Sequence, residues 1–268
     1  MLRDITIGQY YPTGSVIHKL DPRVKLAATI LFIISLFPFD TIAVYALATV
    51  YLVSVLVMSK VPLKYIIKGL KPVVLLIVLT GLMNLLLTQG DNVIFEYWKF
   101  TITMEGVKKA FFMVLRLIYL VIGSSLMTYT TTPNELTDGI EKALRPLNKI
   151  KVPVHEFALM MSLALRFIPI LIEEADKIIK AQSSRGGNFE EGKFIDRAKS
   201  MIAILIPLLV SAIQRAGDLA MAMDARCYHG GMGRTKLRPL RYSGHDFIAY
   251  LIVVGMFALT IAAGVLLV

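Results

Sequence analysis

Two arginine tripeptides are the features of this sequence best placed to do chemistry. Ser184-Arg185-Gly186 and Ala225-Arg226-Cys227 each set an arginine between two small residues at the end of a long amphipathic helical pattern. Such an arginine has two interpretations. It can complement the helix dipole beside a residue that ends the helix, or its forked guanidinium can contact another protein. The recurrence of the tripeptide favours the second interpretation.

The sequence has none of the common motifs of catalytic sites. It contains no glycine-rich phosphate loop, no His-Glu-x-x-His motif and no nucleophile elbow, and its four histidines share no metal-ligand spacing. We therefore expect a protein that is not an enzyme, with no catalytic residue, no metal site and no cofactor of its own. A solute carrier would place ionisable groups at mid-membrane, where this sequence offers little beyond Asn84 and Arg116. We expect Arg116 to snorkel to the nearby membrane surface.

Two long amphipathic patterns must position the arginine tripeptides. In each pattern, apolar residues recur at helical spacing while charged residues fill the opposite side, over the stretch from Phe157 to Tyr228. Aligning Arg185 with Arg226 gives an offset of 41 residues, which also superposes Ala175 on Ala216. The match indicates a weak internal repeat of two helices that end in the same way.

The rest of the chain has the composition of a membrane protein. Of its 268 residues, 56% are hydrophobic, and several apolar runs exceed what one soluble core buries. We predict an all-α integral membrane protein with about five transmembrane helices plus long amphipathic cytoplasmic helices. The predicted domains are residues 1–131, with four spans at about 22–37, 41–59, 72–88 and 110–129; residues 132–245, with the cytoplasmic helices; and residues 246–268, the last span.

The distribution of Lys and Arg orients the protein in the membrane. Four of the 29 basic residues lie in the tail that ends at Lys25, four lie between Lys60 and Lys71, and 17 lie between Lys142 and Arg241. Basic residues collect in cytoplasmic loops. These 25 residues therefore predict a cytoplasmic amino terminus, a cytoplasmic region 132–245 and an external carboxyl terminus. The net charge of +10 then reflects topology, and we expect no nucleic acid partner.

Two local patterns predict short helices at the membrane surface. One sets four lysines on a single helix face, where they can meet anionic lipid head groups: Lys60, Lys64, Lys68 and Lys71. The other is Thr132-Pro133-Asn134-Glu135, which has a capping threonine, a proline at the first helical position and a glutamate that can reach back to the cap. We expect the helix that it opens to extend to about Leu147.

The chain resembles the transmembrane T component of energy-coupling factor transporters for vitamins and other micronutrients. The resemblance covers nearly the whole chain and is carried by five segments: Leu20-Asp21-Pro22-Arg23-Val24-Lys25-Leu26, Thr131-Thr132-Pro133-Asn134-Glu135-Leu136, Ala164-Leu165-Arg166-Phe167-Ile168-Pro169, Ala181-Gln182-Ser183-Ser184-Arg185-Gly186 and Ala222-Met223-Asp224-Ala225-Arg226-Cys227-Tyr228. The family's signature is Ala-Arg-Gly, or a variant of it, at the tips of two cytoplasmic coupling helices. This sequence replaces the first Ala by Ser184 and the second Gly by Cys227, and it keeps both arginines.

The resemblance implies the partners and the mechanism. A T component is a multi-pass scaffold in a prokaryotic cytoplasmic membrane, and it joins two ATP-binding cassette ATPases to one interchangeable substrate-binding membrane subunit. The ATPases bind ATP, and each arginine tip enters a groove on one of them. The implied ATPase-binding residues are Ser184, Arg185, Gly186, Ala225, Arg226 and Cys227. Closure of the ATPases then moves the coupling helices and reorients the substrate-binding subunit.

An apolar stripe on the two long helices is the predicted contact with the substrate-binding subunit, because an amphipathic helix at a bilayer surface otherwise meets only lipid. Its residues are Met160, Phe167, Leu171, Leu208 and Ala212. The residues alone leave two other functions open. One is a permease subunit of a different ATP-driven importer, and the other is a stand-alone secondary carrier.

Overall fold

The computed structural model describes residues 9–88, 93–97, 100–186, 194–230 and 239–267. Over these residues the chain is helical apart from one antiparallel hairpin and the connecting segments. The helices are α1 (Pro22–Ser35), α2 (Ile42–Ser59), α3 (Leu63–Leu70), α4 (Val74–Leu87), α5 (Met104–Thr130), α6 (Pro133–Leu144), α7 (Val154–Ser184), α8 (Phe194–Ala225) and α9 (Gly244–Leu267). The hairpin pairs β1 (Val93–Tyr97) with β2 (Phe100–Thr103). Short 3-10 turns follow α3 (Lys71–Val73) and α6 (Arg145–Ile150).

The helices are those of an all-α integral membrane protein. Within the described ranges, six helical stretches are long and apolar enough to cross a bilayer: Ile42–Ser59, Leu63–Leu87, Met104–Thr130, Val154–Ser184, Met201–Ala225 and Gly244–Leu266. This set differs from the expected spans in three ways. The stretch Leu63–Leu87 includes α3 as well as the expected span 72–88. Helix α1 is absent from the set, since 14 residues extend only ~21 Å against a bilayer core of ~30 Å. Helix α7 and most of α8 belong to the set, although the sequence analysis placed both helices in the cytoplasm. Because length and composition do not fix topology, their cytoplasmic placement stays a prediction.

The larger of two compact units, Gly8–Gly139 with Leu240–Val268, is built around α1, α2, α5 and α9. Its buried core includes Phe32, Leu36 and Leu52. Helix α9 packs on α1 and α2, and Gly264 permits this approach, because a Cβ there would collide with the ring of Phe39. The last helix therefore joins the first four spans predicted from the sequence in one unit.

The sequence Leu-Asp-Pro-Arg-Val-Lys at the start of α1 ties three helix ends together. The backbone N–H of Asp21 donates to Oδ1 of Asp246 at 2.8 Å, which links α1 to the first turn of α9. The buried Lys25 ammonium donates to the carbonyl oxygens of His18 at 2.9 Å and Thr130 at 2.8 Å. Burial lowers the pKa of His18, so its imidazole is neutral at pH 7. The motif thus closes one end of the helix group with fully engaged polar groups.

Arg116 has protein partners that the sequence did not predict, and its snorkelling to the membrane surface stays a prediction. Its Nη2 donates to Oδ1 of Asp40 at 2.6 Å, and its Nε donates to the carbonyl oxygen of Leu36 at 3.0 Å and to the Tyr45 hydroxyl at 3.2 Å. The side chain is only 15% exposed. Arg116 therefore caps the carboxyl end of α1, a carbonyl-rich position that favours a cation.

Both predicted short helices are present, and their placement at the membrane surface stays a prediction. All four lysines are exposed, two of them in α3 itself (Lys64 and Lys68), and the other face of α3 buries Ile66. At the start of α6, Glu135 Oε2 accepts from the Thr132 N–H at 3.1 Å, and the Glu135 N–H donates to Thr132 Oγ1 at 3.3 Å. This reciprocal pair is the predicted capping box. The helix ends at Leu144, earlier than the expected Leu147.

The smaller unit, which includes Ile140–Pro239, contains the two long helices. Helix α7 spans 31 residues and α8 spans 32, and the two helices pack on each other. At 1.5 Å per residue each is ~46 Å long. Both end at the arginine tripeptides, so the unit presents the tips on long, continuous helices.

Candidate functional site

The first arginine tip ends α7 in a left-handed turn. Ser184 is the last helical residue, the Arg185 N–H donates to Gln182 O at 3.1 Å, and the Gly186 N–H donates to Ser183 O at 3.0 Å. Gly186 has φ +88°, and a Cβ built on it meets nothing within 4 Å. Backbone conformation, and not lack of space, is therefore the reason for glycine at this position.

The second tip ends α8 with the same geometry. The Cys227 N–H donates to Asp224 O at 2.9 Å and the Tyr228 N–H donates to Met223 O at 3.0 Å, which together form a Schellman motif. Cys227 has φ +55°. A non-glycine residue in the left-handed region costs about 1–2 kcal/mol, so the cysteine at this position strains the turn that Gly186 makes freely.

In both tips the arginine and the residue after it have different structural roles. In both, the third residue takes the left-handed position and the capping hydrogen bonds are made by backbone groups. All six residues of the two tripeptides are exposed. In the part of the chain that the structure describes, neither guanidinium makes a hydrogen bond or an ion pair. Termination of the helix thus explains Gly186 and Cys227 but leaves the side chains of Arg185 and Arg226 unused.

An ion pair joins the two helices at equivalent positions of the repeat. Arg215 Nη2 of α8 donates to Glu174 Oε2 of α7 at 2.8 Å, with the side chains 39% and 25% exposed. The two residues are 41 positions apart, as are Arg185 and Arg226. Each tip lies 11 residues beyond the ion pair, which is ~16 Å along a helix. The bond therefore sits at a common reference point for both tips.

The residues of the predicted apolar stripe differ in exposure. Met160 is 54% exposed, whereas Phe167, Leu171, Leu208 and Ala212 are partly buried. A second face of α8 is more open, and its apolar residues are Ile202, Leu205, Ile206, Leu209, Val210 and Ile213, each about half exposed or more. The sequence analysis did not single out this face. The uncharged stretch 201–213 could have indicated this open face. A helix that is apolar on all sides has more apolar surface than one neighbouring helix covers.

Metal-ligating side chains do not converge in the described segments. No group of three or more His, Cys, Asp or Glu side chains there could hold a metal ion. His155, in the first turn of α7, instead pairs with Glu141 of α6 at 2.9 Å. The expected absence of a resident metal or cofactor stays a prediction, and the chemistry of the site is that of two exposed cations and an apolar helix face.

Comparison with known proteins places these features in a family context. The family described as "Cobalt transport protein" matches residues 13–237, a range that contains both tripeptides. The chain is 51% identical to the "Energy-coupling factor transporter transmembrane protein EcfT" of Clostridium kluyveri, over 94% of this chain and 93% of that protein. The protein of the same name from Heliobacterium modesticaldum is 49% identical, over 97% of this chain and 97% of that protein. The one from Bacillus subtilis is 45% identical, over 92% of this chain and 93% of that protein.

Proposed function

Because this chain belongs to the cobalt transport protein family and is similar along almost its whole length to energy-coupling factor transmembrane proteins, we propose that it is the coupling subunit of an ATP-driven importer. It links two ATP-binding cassette ATPases to a separate membrane subunit that binds a vitamin or another micronutrient. The chain itself catalyses no reaction, and ATP is bound by the ATPases. The observation that carries the proposal is the pair of matching tips, each with an exposed and unused arginine.

The geometry of the tips supports two similar partners. An arginine between two small residues occurs twice, each time followed by a left-handed residue and each time 11 residues beyond the Glu174–Arg215 ion pair. A surface that repeats itself suits two copies of one kind of subunit. Each guanidinium offers a planar fork of donors to a carboxylate-lined groove, and a charge-assisted hydrogen bond there contributes about 1.5–3 kcal/mol.

The long helices supply the path from the ATPases to the substrate-binding subunit. A displacement imposed at Arg185 or Arg226 moves a continuous helix, and the Glu174–Arg215 bond joins the two helices between the tips and their other ends. The substrate-binding subunit is placed on the apolar surface of these helices, which includes Met160 and the open face of α8. Movement of this surface reorients the bound subunit and releases the substrate.

The test is a double charge reversal at the tips, Arg185→Glu with Arg226→Glu. We expect the variant to insert and fold but to lose the ATPases in a pull-down and to lose ATP-dependent uptake in the same membranes. Either single change gives partial assembly, since each tip holds one ATPase. The double variant with Arg185→Lys and Arg226→Lys separates charge from shape, because lysine keeps the charge and loses the fork.

A matched control reverses two exposed cations away from the tips, Lys149→Glu with Lys177→Glu. This control changes the net charge by the same amount and should keep assembly and uptake. Full assembly and uptake in the double tip variant would return both arginines to a helix-capping role.

The two alternatives, another importer's permease subunit and a secondary carrier, are not favoured by relatives that carry the energy-coupling factor name at 45–51% identity.

A further inference from the structure

A cavity of about 210 Å³ lies inside the larger unit, between α1, α2, α5 and α9. Apolar side chains form most of its wall, among them Val24, Phe32, Leu52, Leu126 and Val253. An apolar cavity of ~150 Å³ is already large enough to stay dry and bind a small hydrocarbon. This cavity therefore has room for an apolar ligand.

Apart from the Tyr51 hydroxyl, for which the described residues supply no hydrogen bond, the polar side chains in the wall have partners in the protein. The Lys25 ammonium is held by the carbonyl oxygens of His18 and Thr130. The hydroxyls of Thr29 and Ser54 donate to backbone carbonyls of their own helices at 2.9 Å and 2.7 Å. A water molecule needs two to four polar partners. The Tyr51 hydroxyl alone is fewer than that among the lining side chains, so the wall suits a hydrocarbon.

The cavity opens to the outside of the unit between α2 and α9. Met58 and Ile252 both line it, and they are 51% and 54% exposed. An exposed apolar rim on a transmembrane helix faces lipid chains, because in the bilayer these take the place of water. A chain-like apolar ligand can therefore enter from the side while part of it stays outside.

Two exposed cations are close in sequence to residues that line the cavity. Lys19 directly precedes the lining residue Leu20, and Lys60 follows the rim residue Met58 by two positions. A hydrogen bond of 2.9 Å from Thr13 Oγ1 to Ser59 O fixes the amino-terminal segment against the end of α2. Both lysines are exposed, and neither makes an ion pair or hydrogen bond with its side chain among the described residues. Positive charge thus stands within two residues of the cavity lining, just before α1 and at the end of α2.

We propose that this cavity holds one acyl chain of a bilayer phospholipid whose anionic head group is bound by Lys19 and Lys60. The apolar wall takes the chain, the rim at Met58 and Ile252 admits it, and the two ammonium groups select the charge of the head group. A bound lipid fills the space between the four helices that carry the core of the larger unit. The site is independent of the arginine tips.

The test measures lipid that remains with the full chain when it is purified in mild detergent together with the subunits that accompany it. Phosphatidylglycerol and phosphatidylcholine per chain are quantified by mass spectrometry after exchange into an equimolar mixture of the two. We expect one phosphatidylglycerol per chain. Ala249→Phe, which fills the cavity from α9, should remove it. Lys19→Gln with Lys60→Gln should weaken its binding about fivefold for each lysine removed.

Matched controls are Ala258→Phe, an exposed position of the same helix, and Lys64→Gln with Lys68→Gln, two exposed lysines of α3. Both controls should keep the lipid. Retention in the Ala249→Phe variant at the level of the Ala258→Phe variant would overturn the proposal, as would equal binding of both phospholipids by the unchanged protein. If the Ala249→Phe variant does not accumulate, the proposal is tested instead by thermal unfolding of the delipidated wild-type protein with each phospholipid added back. Phosphatidylglycerol should raise its Tm more than phosphatidylcholine does, and an equal effect would overturn the proposal.

Discussion

Glu174 of α7 and Arg215 of α8 form a 2.8 Å ion pair between positions that the internal repeat makes equivalent. Like charges at these positions would repel each other, and here the two copies carry opposite charges. The arginines of the tips lie 11 residues further along each helix. The pair therefore joins the two helices at the same number of residues from each tip.

The first prediction is that exchanging these two charges preserves the pair. Glu174→Arg alone and Arg215→Glu alone each bring like charges together, and each should lower stability by about 1 kcal/mol or less, since both side chains are partly exposed. The variant that carries both changes should recover most of the loss. Thermal unfolding and ATP-dependent uptake of the three variants measure this. A double variant as impaired as the sum of the singles would mean that the two residues act independently.

The second prediction concerns the strained turn at Cys227. Cys227→Gly should stabilise the end of α8 by about 1 kcal/mol, because glycine adopts φ +55° without the penalty of a Cβ. Gly186→Ala is the matched opposite change at the first tip and should destabilise it by a similar amount. Limited proteolysis of the tips and thermal unfolding provide the measurements. Equal behaviour of Cys227→Gly and Cys227→Ala would show that the turn is not strained by its side chain.

Features determined by neighbouring residues could be predicted from the sequence. The capping box of Thr132 and Glu135 is confirmed because its two hydrogen bonds join residues three positions apart. The ends of α7 and α8 at the arginine tripeptides follow from small residues and glycine in the last turn. The left-handed conformation of Cys227 was harder to anticipate, because cysteine itself has no preference for it. Alignment with Gly186 was the only signal.

Features that depend on distant contacts could not be predicted in the same way. No local pattern indicated the partners of Arg116, because Leu36 and Asp40 lie some 80 positions earlier in the chain. Lys25 was counted as one of many basic residues, and only the fold brings the carbonyl of Thr130 to it. Hydropathy and periodicity describe one segment at a time. They contain no information on which polar group another segment will supply.

The third prediction concerns topology. Cys227 is the single cysteine of the chain and is exposed, so an impermeant thiol reagent should label it only from the cytoplasmic face. Leu266→Cys, made together with Cys227→Gly, places the single thiol near the carboxyl terminus, where Leu266 is 82% exposed. We expect it to be labelled only from the outside. Labelling of both thiols from one face would contradict five spans with the amino terminus inside.

The fourth prediction separates the two apolar faces of α8. Leu209 is 62% exposed on the open face, whereas its neighbour Leu208, one of the residues first assigned to the substrate-binding subunit, is partly buried. Successive residues of a helix point about 100° apart. The same substitution at the two positions therefore tests two different surfaces of one helix.

If the open face holds the substrate-binding subunit, Leu209→Asp should release that subunit and leave the ATPases attached. Leu208→Asp instead places a charge on the less exposed face, so it should loosen the smaller unit and reduce the binding of both partners. Co-purification of each partner is measured separately, with Gln214→Asp as the control for an added charge on an exposed position that is already polar. Release of the subunit by Leu208→Asp alone, with the ATPases retained, would restore the stripe predicted from the sequence. Retention of the subunit in both variants would mean that α8 meets lipid there, and the search for the contact would move to α7, where Met160 is the most exposed residue of the predicted stripe.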